Sequence, residues 1–446
     1  MEAWLLSMFI TADVNVCHMQ MRKVAFASFV GTAIEFYDFY IYGTAAALIF
    51  PHVFFPEMGP TMASVSSLGT FAAAFFSRPI GAAVFGHFGD RLGRKRTLVA
   101  TLLIMGISTV GVGLVPGAAT IGIAAPILLL CLRLCQGFAV GGEWAGSALL
   151  SAEYAPAAQR GRYGMFTQLG AGAGLAASNL VFFTVAVTIG EKSQVFLDWG
   201  WRVPFLLSGL LVIAALYIRL RIDETPVFAD ERRSGQVPRA PLAELIRLQW
   251  RQVLLAAGCM VSIFTMSFLG GTYLLSYAST TIGHPRALIL AVGVLAGVAL
   301  MSTTAISAIL CDRYGRRRII LAGFLVALPW AFVVMPLIDT GSEALFALAI
   351  GGTFAVFGVS YGPIASFLPE TFATRYRYTG AGLAFNLAGI VGGALPPLVA
   401  GLLVDDFGGW AVGLMMAGFV AVSVLCTWAL PETKGTSLRD EVAAAA

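Results

Sequence analysis

Charge is scarce in this sequence. Of its 446 residues, 12% are Asp, Glu, Lys or Arg, whereas soluble globular domains are about a quarter charged. Hydrophobic residues make up 58%, and the mean hydropathy is +0.83. So few charges cannot keep the surface of a chain of this length in water, which excludes a soluble multidomain protein. Most of the surface must instead face lipid.

The sequence also lacks the motifs of several enzyme classes. It has no GxxxxGK[ST] phosphate loop, which argues against ATP-driven transport by this chain alone, and neither HExxH nor GxSxG. Its six cysteines form no framework, and Cys131 and Cys135 lie one helical turn apart without a histidine or second cysteine pair nearby. We therefore predict no enzyme activity, no metal site and no cofactor.

Long apolar runs are what the sequence has in abundance. A bilayer core about 30 Å thick is crossed by roughly 20 apolar residues in a helix. Twelve such runs lie near residues 24–50, 62–85, 97–116, 120–150, 163–189, 201–220, 251–281, 287–311, 317–338, 343–368, 379–404 and 409–430. The predicted fold class is an all-α membrane protein with twelve transmembrane helices.

Basic residues are distributed unevenly about these runs. Of 28 Lys and Arg residues, Lys192, Arg202 and Arg286 fall on one side, Arg78 and Arg133 lie inside runs, and the other 23 fall on the opposite side. Cytoplasmic loops carry such an excess of positive charge. An even number of spans then places both termini in the cytoplasm, and the net charge of +4 implies no nucleic-acid partner.

One polar segment divides the chain. We predict an amino-terminal tail over residues 1–21, a six-helix bundle over 22–220, a cytoplasmic linker over 221–250, a second bundle over 251–431 and a tail over 432–446. Met19 and Met21 directly precede the basic pair at positions 22 and 23. We hypothesise that the native chain starts at one of these methionines.

Two landmarks repeat between the halves. Asp90 and Asp312 follow the second and eighth runs and are 222 residues apart. The spacing of seven from Glu153 to Arg160 recurs from Glu370 to Arg377, after the fourth and tenth runs. Repeated halves with a site between them are typical of secondary transporters.

The first landmark carries a family resemblance. The segment Asp90-Arg91-Leu92-Gly93-Arg94-Lys95, four residues after Gly86, resembles the signature loop of the major facilitator superfamily, and a degraded copy begins at Asp312. The resemblance implies two pseudo-symmetric six-helix bundles and a cytoplasmic gate held by charges. The residues assigned to this gate and structural charge network are Gly86, Asp90, Arg91, Gly93, Arg94, Glu153, Arg160, Asp312, Arg316, Glu370, Arg377 and Arg78.

Further motifs resemble the metabolite:proton symporter branch, whose members carry shikimate, 2-oxoglutarate, citrate or proline/betaine. These motifs are Ile34-Glu35-Phe36-Tyr37-Asp38-Phe39-Tyr40, Arg78-Pro79-Ile80-Gly81, Arg133-Leu134-Cys135-Gln136-Gly137 and Gly141-Gly142-Glu143-Trp144. The resemblance implies a central site lined by helices one, four, seven and ten and reached by alternating access. It also implies a small-molecule substrate, protons as co-substrate, and a monomer in the cytoplasmic (inner) membrane of a bacterium.

Five ionisable residues fall inside predicted spans of the first half: Glu35, Asp38, Arg78, Arg133 and Glu143. Such residues are costly in lipid and are functional candidates by default. A rise of about 1.5 Å per residue places Asp38 at the depth of Arg133 and Glu143 at the depth of Arg78, so we predict these two pairs. For Arg78 a structural salt bridge is the favoured role.

A proton-coupling scheme follows. A carboxylate that loses its arginine partner to the substrate takes up a proton, which couples the two events. We rank Asp38 first as proton carrier, then Glu35, then Glu143. We assign Arg133 to the substrate carboxylate or to the role of coupling partner. The remaining predicted substrate-binding residues are Tyr37, Gln136, Tyr273, Tyr277, Tyr361 and Asn386.

Three functions stay open at this stage. The first is proton-coupled uptake of a small organic acid or zwitterion, and the second is proton-driven export of a drug or metabolite. The run Gly170-Ala171-Gly172-Ala173-Gly174 lacks the Gly-Pro element common in antiporters of the superfamily, which favours uptake. A non-transporting sensor would be expected to carry a long soluble output domain, which we do not predict here.

Overall fold

The computed structural model describes residues 2–190, 193–220 and 241–436. Within these ranges the chain is helical, and no residue forms a β-strand. Twelve segments are long and apolar enough to cross a bilayer, which confirms the predicted number. They are α1 (Lys23–Leu48), α2 (Met62–Leu92), α3 (Lys95–Leu114), α4 (Ala124–Tyr154), α5 (Ala157–Ile189), α6 (Gln194–Leu220), α7 (Leu242–Ile282), α8 (Arg286–Tyr314), α9 (Arg316–Asp339), α10 (Glu343–Thr371), α11 (Thr374–Phe407) and α12 (Gly409–Ala429).

Two predicted boundaries differ from the structure. The first helix begins at Glu2 and runs without interruption to Leu48, so residues 2–21 extend α1 instead of forming a separate tail. The last ten residues of the predicted linker are also helical and form the start of the α7 helix, which is kinked at Gln249. Residues 221–240 of that linker, like most of the predicted carboxy-terminal tail, lie outside the described residues.

Close helix packing depends on glycine at a few positions. A Cβ atom at Gly81 of α2 would lie 1.8 Å from the carbonyl oxygen of Phe138 in α4, and one at Gly141 of α4 would lie 2.2 Å from the carbonyl oxygen of Arg78. Only glycine therefore lets the two backbones approach this closely, as small residues do in many membrane helix pairs. This contact sets the position of the arginines that α2 and α4 carry.

The two halves share a local structure at the face of the molecule that holds the α2–α3 and α8–α9 turns, here called the Arg-rich face. Gly93 and Gly315 both have positive φ, at 109° and 103°. In the first half the Lys95 ammonium donates to the carbonyl of Leu220 at the end of α6, at 2.9 Å. In the second half Arg317 donates to the carbonyl of Trp428 near the end of α12, at 2.5 Å. Each cation thus satisfies a carbonyl that a helix end leaves open.

The seam between the bundles is formed by α5 against α8 and by α2 against α11. Helix α7 also reaches α1, and it contains π-helical turns at Leu269–Tyr273 and Ala278–Ile282. A further π-helical turn in α11 covers Gly389–Ala394. Such turns interrupt the regular hydrogen-bond ladder and are frequent at functional sites.

Candidate functional site

Arg133 of α4 lies in an aromatic cage and is 2% exposed. Its guanidinium carbon is 4.1 Å from the ring centre of Tyr42, 4.5 Å from that of Phe39 and 5.1 Å from that of Phe71. Nη1 donates to the Gln136 side-chain oxygen at 3.1 Å, whereas Nε and Nη2 have no hydrogen-bond partner among the described residues. Cation–π contacts stabilise the charge in part, and two donors remain available.

Asp38 does not pair directly with Arg133, so the predicted ion pair is wrong in this conformation. Its carboxylate accepts from the Thr109 hydroxyl at 2.7 Å, and Thr109 in turn accepts from Gln136 Nε2 at 2.7 Å. Gln136 contacts Arg133, so the two charges are joined by a relay of two polar side chains. The reason is rotational: Asp38 faces α3, while the next residue, Phe39, places its ring on Arg133.

Arg78 does not pair with Glu143, so the second predicted ion pair is also wrong. Its guanidinium lies 4.4 Å from the ring centre of Phe39 and 4.7 Å from that of Phe75. Its Nε has no hydrogen-bond partner, and no carboxylate of the described residues lies within ion-pair distance. Phe39 thus contacts both buried arginines, Arg78 and Arg133.

Glu143 instead forms a buried ion pair with Arg219 of α6. The Thr101 hydroxyl donates to its other oxygen at 2.7 Å. Sequence reasoning placed Arg219 among the basic residues of the cytoplasmic side because it ends an apolar run, and nothing in the sequence indicates that it points back into the bundle. The charge of Glu143 is therefore compensated locally, unlike that of its neighbours.

Glu35 is buried, and one of its carboxylate oxygens has no hydrogen-bond partner among the described residues. The charged groups around it are Glu143, Arg78 and Arg219 of its own bundle. Tyr361 of α10, in the other bundle, also lies in its electrostatic surroundings, and its hydroxyl has no hydrogen-bond partner in the described part of the chain. Glu35 is thus a buried acid that faces both bundles.

The remaining predicted substrate residues are dispersed. Tyr37 donates to the carbonyl of Pro204 at 2.9 Å and so ties α1 to α6. Tyr277 stacks on Tyr273, with ring centres 6.0 Å apart, and donates to Asp339 at 2.9 Å. Asp339 ends α9 at the face opposite the Arg-rich face, so the structure does not bring this tyrosine pair to Arg133.

Phe268 of α7 closes the centre of the molecule. Its ring centre is 4.8 Å from that of Phe39 and 5.0 Å from that of Phe75. At the adjacent residues of α1 and α7, the hydroxyls of Tyr40 and Ser267 are 3.0 Å apart. The rings of Phe39 and Phe71 therefore lie between Arg133 and Phe268 of the opposite bundle. Sequence reasoning missed Phe39 and Phe268, because an aromatic residue in an apolar run gives no signal of its partner.

An ion-pair network joins the bundles at the Arg-rich face. Glu370 of α10 accepts from Arg316 of its own bundle, at 3.1 and 3.2 Å. Its Oε1 also lies 3.4 Å from Arg160 Nη1 of α5, in the other bundle. Arg160 donates in addition to the carbonyl of Thr436, at 2.6 Å. Arg160 and Glu370, one predicted gate residue from each copy of the second landmark, thus meet across the seam.

The two motif aspartates each cap a helix of the other bundle. Asp312 accepts from the backbone N–H groups of Gly161 and Arg162 at the start of α5, both at 2.8 Å. Asp90 accepts from the N–H of Thr379 at 3.2 Å and from its hydroxyl at 2.8 Å, near the start of α11. A carboxylate at a helix amino terminus is stabilised both by hydrogen bonds and by the helix dipole.

A second layer lies deeper in the membrane. Asn386 of α11 donates to the carbonyl of Gly141 at 2.9 Å, and Tyr378 donates to that of Gly142 at 2.5 Å. Gln168 of α5 accepts from Trp144 at 3.0 Å and donates to the carbonyl of Tyr361 at 2.8 Å. The bundles are therefore closed against each other over the part of the membrane nearest the Arg-rich face.

Other predicted gate residues have local roles. Gly86 permits contact with Thr379, since a Cβ there would lie 2.9 Å from the Thr379 Cα. Arg377 donates to the carbonyl of Phe372 at 3.2 Å, and Arg91 lies exposed 3.3 Å from His87. The remaining members are Glu153, which is partly buried at the end of α4, and Arg94, whose side chain lies outside the described residues. No group of three or more metal-ligating side chains occurs in the described part of the chain.

Comparison with known proteins gives consistent matches. The family model of the Major Facilitator Superfamily matches residues 28–396. The inner membrane metabolite transport protein YhjE of Escherichia coli K12 is 42% identical over 94% of this chain and 96% of its own length. The shikimate transporter of the same organism is 38% identical over 87% of this chain and 89% of its own length.

The solved structure of the proton:xylose symporter XylE bound to a bromodeoxyglucose has the same fold. Its TM-score is 0.75 at 22% identity, over 94% of this chain and 98% of that one. The twelve helices, the cross-bundle contacts at the Arg-rich face and these matches agree. The chain belongs to the major facilitator superfamily of membrane transporters.

Proposed function

We propose that this transporter couples the uptake of a small carboxylate-bearing metabolite, an organic acid or a zwitterion, to the movement of protons. One observation carries the proposal. Two buried guanidinium groups, of Arg78 and Arg133, retain unpartnered N–H groups beside two buried acids, Glu35 and Asp38, that each retain an unpartnered oxygen.

These unpartnered groups are costly. A buried polar group without a hydrogen bond loses about 1–3 kcal/mol, and an uncompensated buried charge loses more. A purely structural cluster would gain stability by joining the acids to the arginines directly. The separation of the charges therefore favours a site that is completed by a ligand.

Arg133 supplies the recognition chemistry. Its Nε and Nη2 are adjacent donors on one edge of the guanidinium, which match the two oxygens of a carboxylate. The surrounding rings of Phe39, Tyr42 and Phe71 exclude water and strengthen this interaction. A substrate carboxylate bound to Nε and Nη2 would share the guanidinium with Gln136, which accepts from Nη1.

The relay through Gln136 and Thr109 provides the coupling. When a substrate engages Arg133, the hydrogen-bond chain that leads to Asp38 changes at its first member. A proton bound to Asp38 or Glu35 then offsets the cost of a second buried anion. Glu143 is the weaker candidate for this role because Arg219 already compensates its charge.

Access requires the bundles to rock. The contacts at the Arg-rich face close one side, and Phe39 with Phe268 closes the centre. Opening the Arg-rich face would separate α5 from α8 and release the substrate there. From the excess of Lys and Arg on this face we infer that it is cytoplasmic, with both termini on that side. The 42% identity to an inner membrane protein of Escherichia coli supports a location of this transporter in a bacterial cytoplasmic membrane. We also infer that the transporter is a monomer.

The shikimate transporter, at 38% identity, is named for an organic acid. This name supports a carboxylate substrate without fixing which one. The experiment is uptake by reconstituted vesicles against a panel of radiolabelled acids and zwitterions, with and without an imposed proton gradient. We expect accumulation that depends on an inwardly directed gradient, and loss of binding in Arg133→Gln.

Two variants separate coupling from binding. Asp38→Asn and Glu35→Gln keep the shape of the side chain and remove its exchangeable proton, so we expect loss of gradient-driven accumulation with retained exchange of labelled for unlabelled substrate. Asp406→Asn, at an exposed carboxylate, is the matched control. Intact accumulation in both acid variants contradicts the proposal, and accumulation driven by the opposite gradient indicates proton-coupled export.

A further inference from the structure

A basic cleft opens on the Arg-rich face of the carboxy-terminal bundle, where the α8–α9 turn meets the end of α12. Its volume is about 600 Å³. The side chains that matter here are those of Arg313, Arg317, Arg318, Lys434, Glu432 and Trp428. None of them belongs to the transport site or to the ion-pair network that joins the bundles.

The charge of the cleft is uncompensated. Four cations and one carboxylate line it, which leaves a net charge of +3. The carboxylate, Glu432, is already engaged, because it accepts from the backbone N–H groups of Arg316 at 2.8 Å and of Thr433 and Lys434 at 3.1 Å. Among the described residues no acid lies within ion-pair distance of any of the four cations.

Three of the cations are held in place by the fold. Lys434 donates to the carbonyl of Arg313 at 2.8 Å, and Arg317 donates to that of Trp428. The Arg313 guanidinium lies 5.3 Å from the ring centre of Tyr314. These contacts gather the charges around one concave surface, which makes the cleft a better anion site than the same number of freely moving side chains.

The cleft continues onto the lipid-facing surface. Trp428 is 68% exposed, and Leu425, one turn earlier on α12, is 66% exposed. Leu325, one turn after the lining residue Leu321 on α9, is exposed as well. An exposed tryptophan at a helix end is typical of the membrane–water interface. The cleft thus combines a cationic pocket above the interface with an apolar surface directly below it.

We propose that this cleft binds an anionic phospholipid, with the phosphate head group among the four cations and the acyl chains along Trp428 and Leu425. Basic pockets on the cytoplasmic side of membrane helices recognise such head groups. A soluble anion would use only the polar part of the cleft, whereas a lipid uses both parts. The proposal does not depend on the transported substrate.

The chain contains a comparison site. Trp250, near the start of α7 at the same face, is 50% exposed, and Arg251 lies 5.5 Å from its ring centre. This site has an interfacial tryptophan and a neighbouring cation but is not among the residues that line the basic cleft. The general excess of positive charge at the cytoplasmic face predicts similar lipid contacts at both places, whereas the cleft predicts a preference at Trp428 alone.

The experiment measures tryptophan quenching in bilayer nanodiscs of phosphatidylcholine doped with acyl-brominated phosphatidylglycerol or acyl-brominated phosphatidylcholine. The signal of Trp428 is the difference between the wild type and Trp428→Phe. We expect half-maximal quenching of Trp428 by the anionic lipid at a mole fraction at least about fivefold lower than by the zwitterionic lipid. Arg313→Gln combined with Arg318→Gln should abolish this preference, and Arg251→Gln should leave it unchanged.

Three outcomes overturn the proposal. Equal quenching by the two lipids in the wild type would show that the cleft does not select anionic lipid. A preference that survives Arg313→Gln with Arg318→Gln would show that the anionic lipid binds elsewhere. Loss of the preference on adding inorganic phosphate at constant ionic strength indicates a soluble anion as the ligand. Both arginines are exposed, so unchanged thermal unfolding of the double variant would show that the effect is not one of misfolding.

Discussion

Trp144 of α4 lies flat on Phe385 of α11, with ring centres 4.0 Å apart and ring planes inclined by 6°. The indole N–H of Trp144 also donates a hydrogen bond, to the side-chain oxygen of Gln168 at 3.0 Å. The stack therefore joins the two bundles one layer below the ion pairs of the Arg-rich face. Opening that face would separate the two rings, so the stack stabilises the closed conformation.

Replacing Phe385 with Ala should shift the transporter toward the form that is open at the Arg-rich face. An aromatic pair is worth about 0.5–1.5 kcal/mol beyond the area it buries, so we expect the open population to rise by roughly fivefold or more. The measurement is the distance distribution between spin labels at Leu92 and Arg375, in a background without native cysteines. Phe332→Ala, on a lipid-facing ring, is the control and should leave the distribution unchanged.

The ion pairs of Glu370 should contribute to stability far more than a surface pair does. Glu370→Gln removes the carboxylate that Arg316 and Arg160 share, and it leaves Arg316 with Asp312 alone, at 3.3 Å. Breaking a buried pair costs about 3–5 kcal/mol. In Glu244→Gln the lost partner is Arg375, and the side chains of that pair are 35% and 47% exposed, so we expect a loss below about 1 kcal/mol. Thermal unfolding in detergent compares the two variants, and equal losses would show that burial does not decide the value of these pairs.

The pair of Glu143 and Arg219 allows a double-mutant cycle. Glu143→Gln and Arg219→Gln each leave one buried charge alone, whereas the double variant leaves none. We expect the double variant to unfold at a higher temperature than Arg219→Gln, with a coupling energy of about 2 kcal/mol or more. Strictly additive losses would mean that the two groups do not compensate each other.

The helices were predictable because the bilayer fixes their length. Twelve runs of apolar residues gave twelve helices, and the run predicted over 343–368 corresponds to a segment that ends at Thr371. The internal repeat also predicted that Asp90 and Asp312 would be equivalent. Each indeed caps a helix of the opposite bundle. The length and hydropathy of a run and the repetition of a motif are properties of consecutive residues, so they can be read directly from the sequence.

The side-chain partners were not predictable, because depth along a helix axis says nothing about rotation around it. Arg78 and Glu143 share a depth, yet Arg78 lies on Phe39 while Glu143 pairs with Arg219. A long arginine side chain that ends an apolar run can point to water or back into the bundle. Only the packing of α6 against α1 and α3 decides between these directions for Arg219.

Two glycines of α2 separate the effect of close packing from that of backbone freedom. A Cβ at Gly81 would lie 1.8 Å from the backbone oxygen of Phe138, whereas one at Gly69 would meet no atom within 4 Å. Gly81→Ala must push α2 away from α4 and should lower the free energy of unfolding by roughly 1–3 kcal/mol. Gly69→Ala removes only backbone entropy from the unfolded chain, so it should be neutral or stabilising by up to about 1 kcal/mol. Thermal unfolding of the two variants side by side tests this. A loss of the same size in both would show that α2 and α4 are not held together through Gly81.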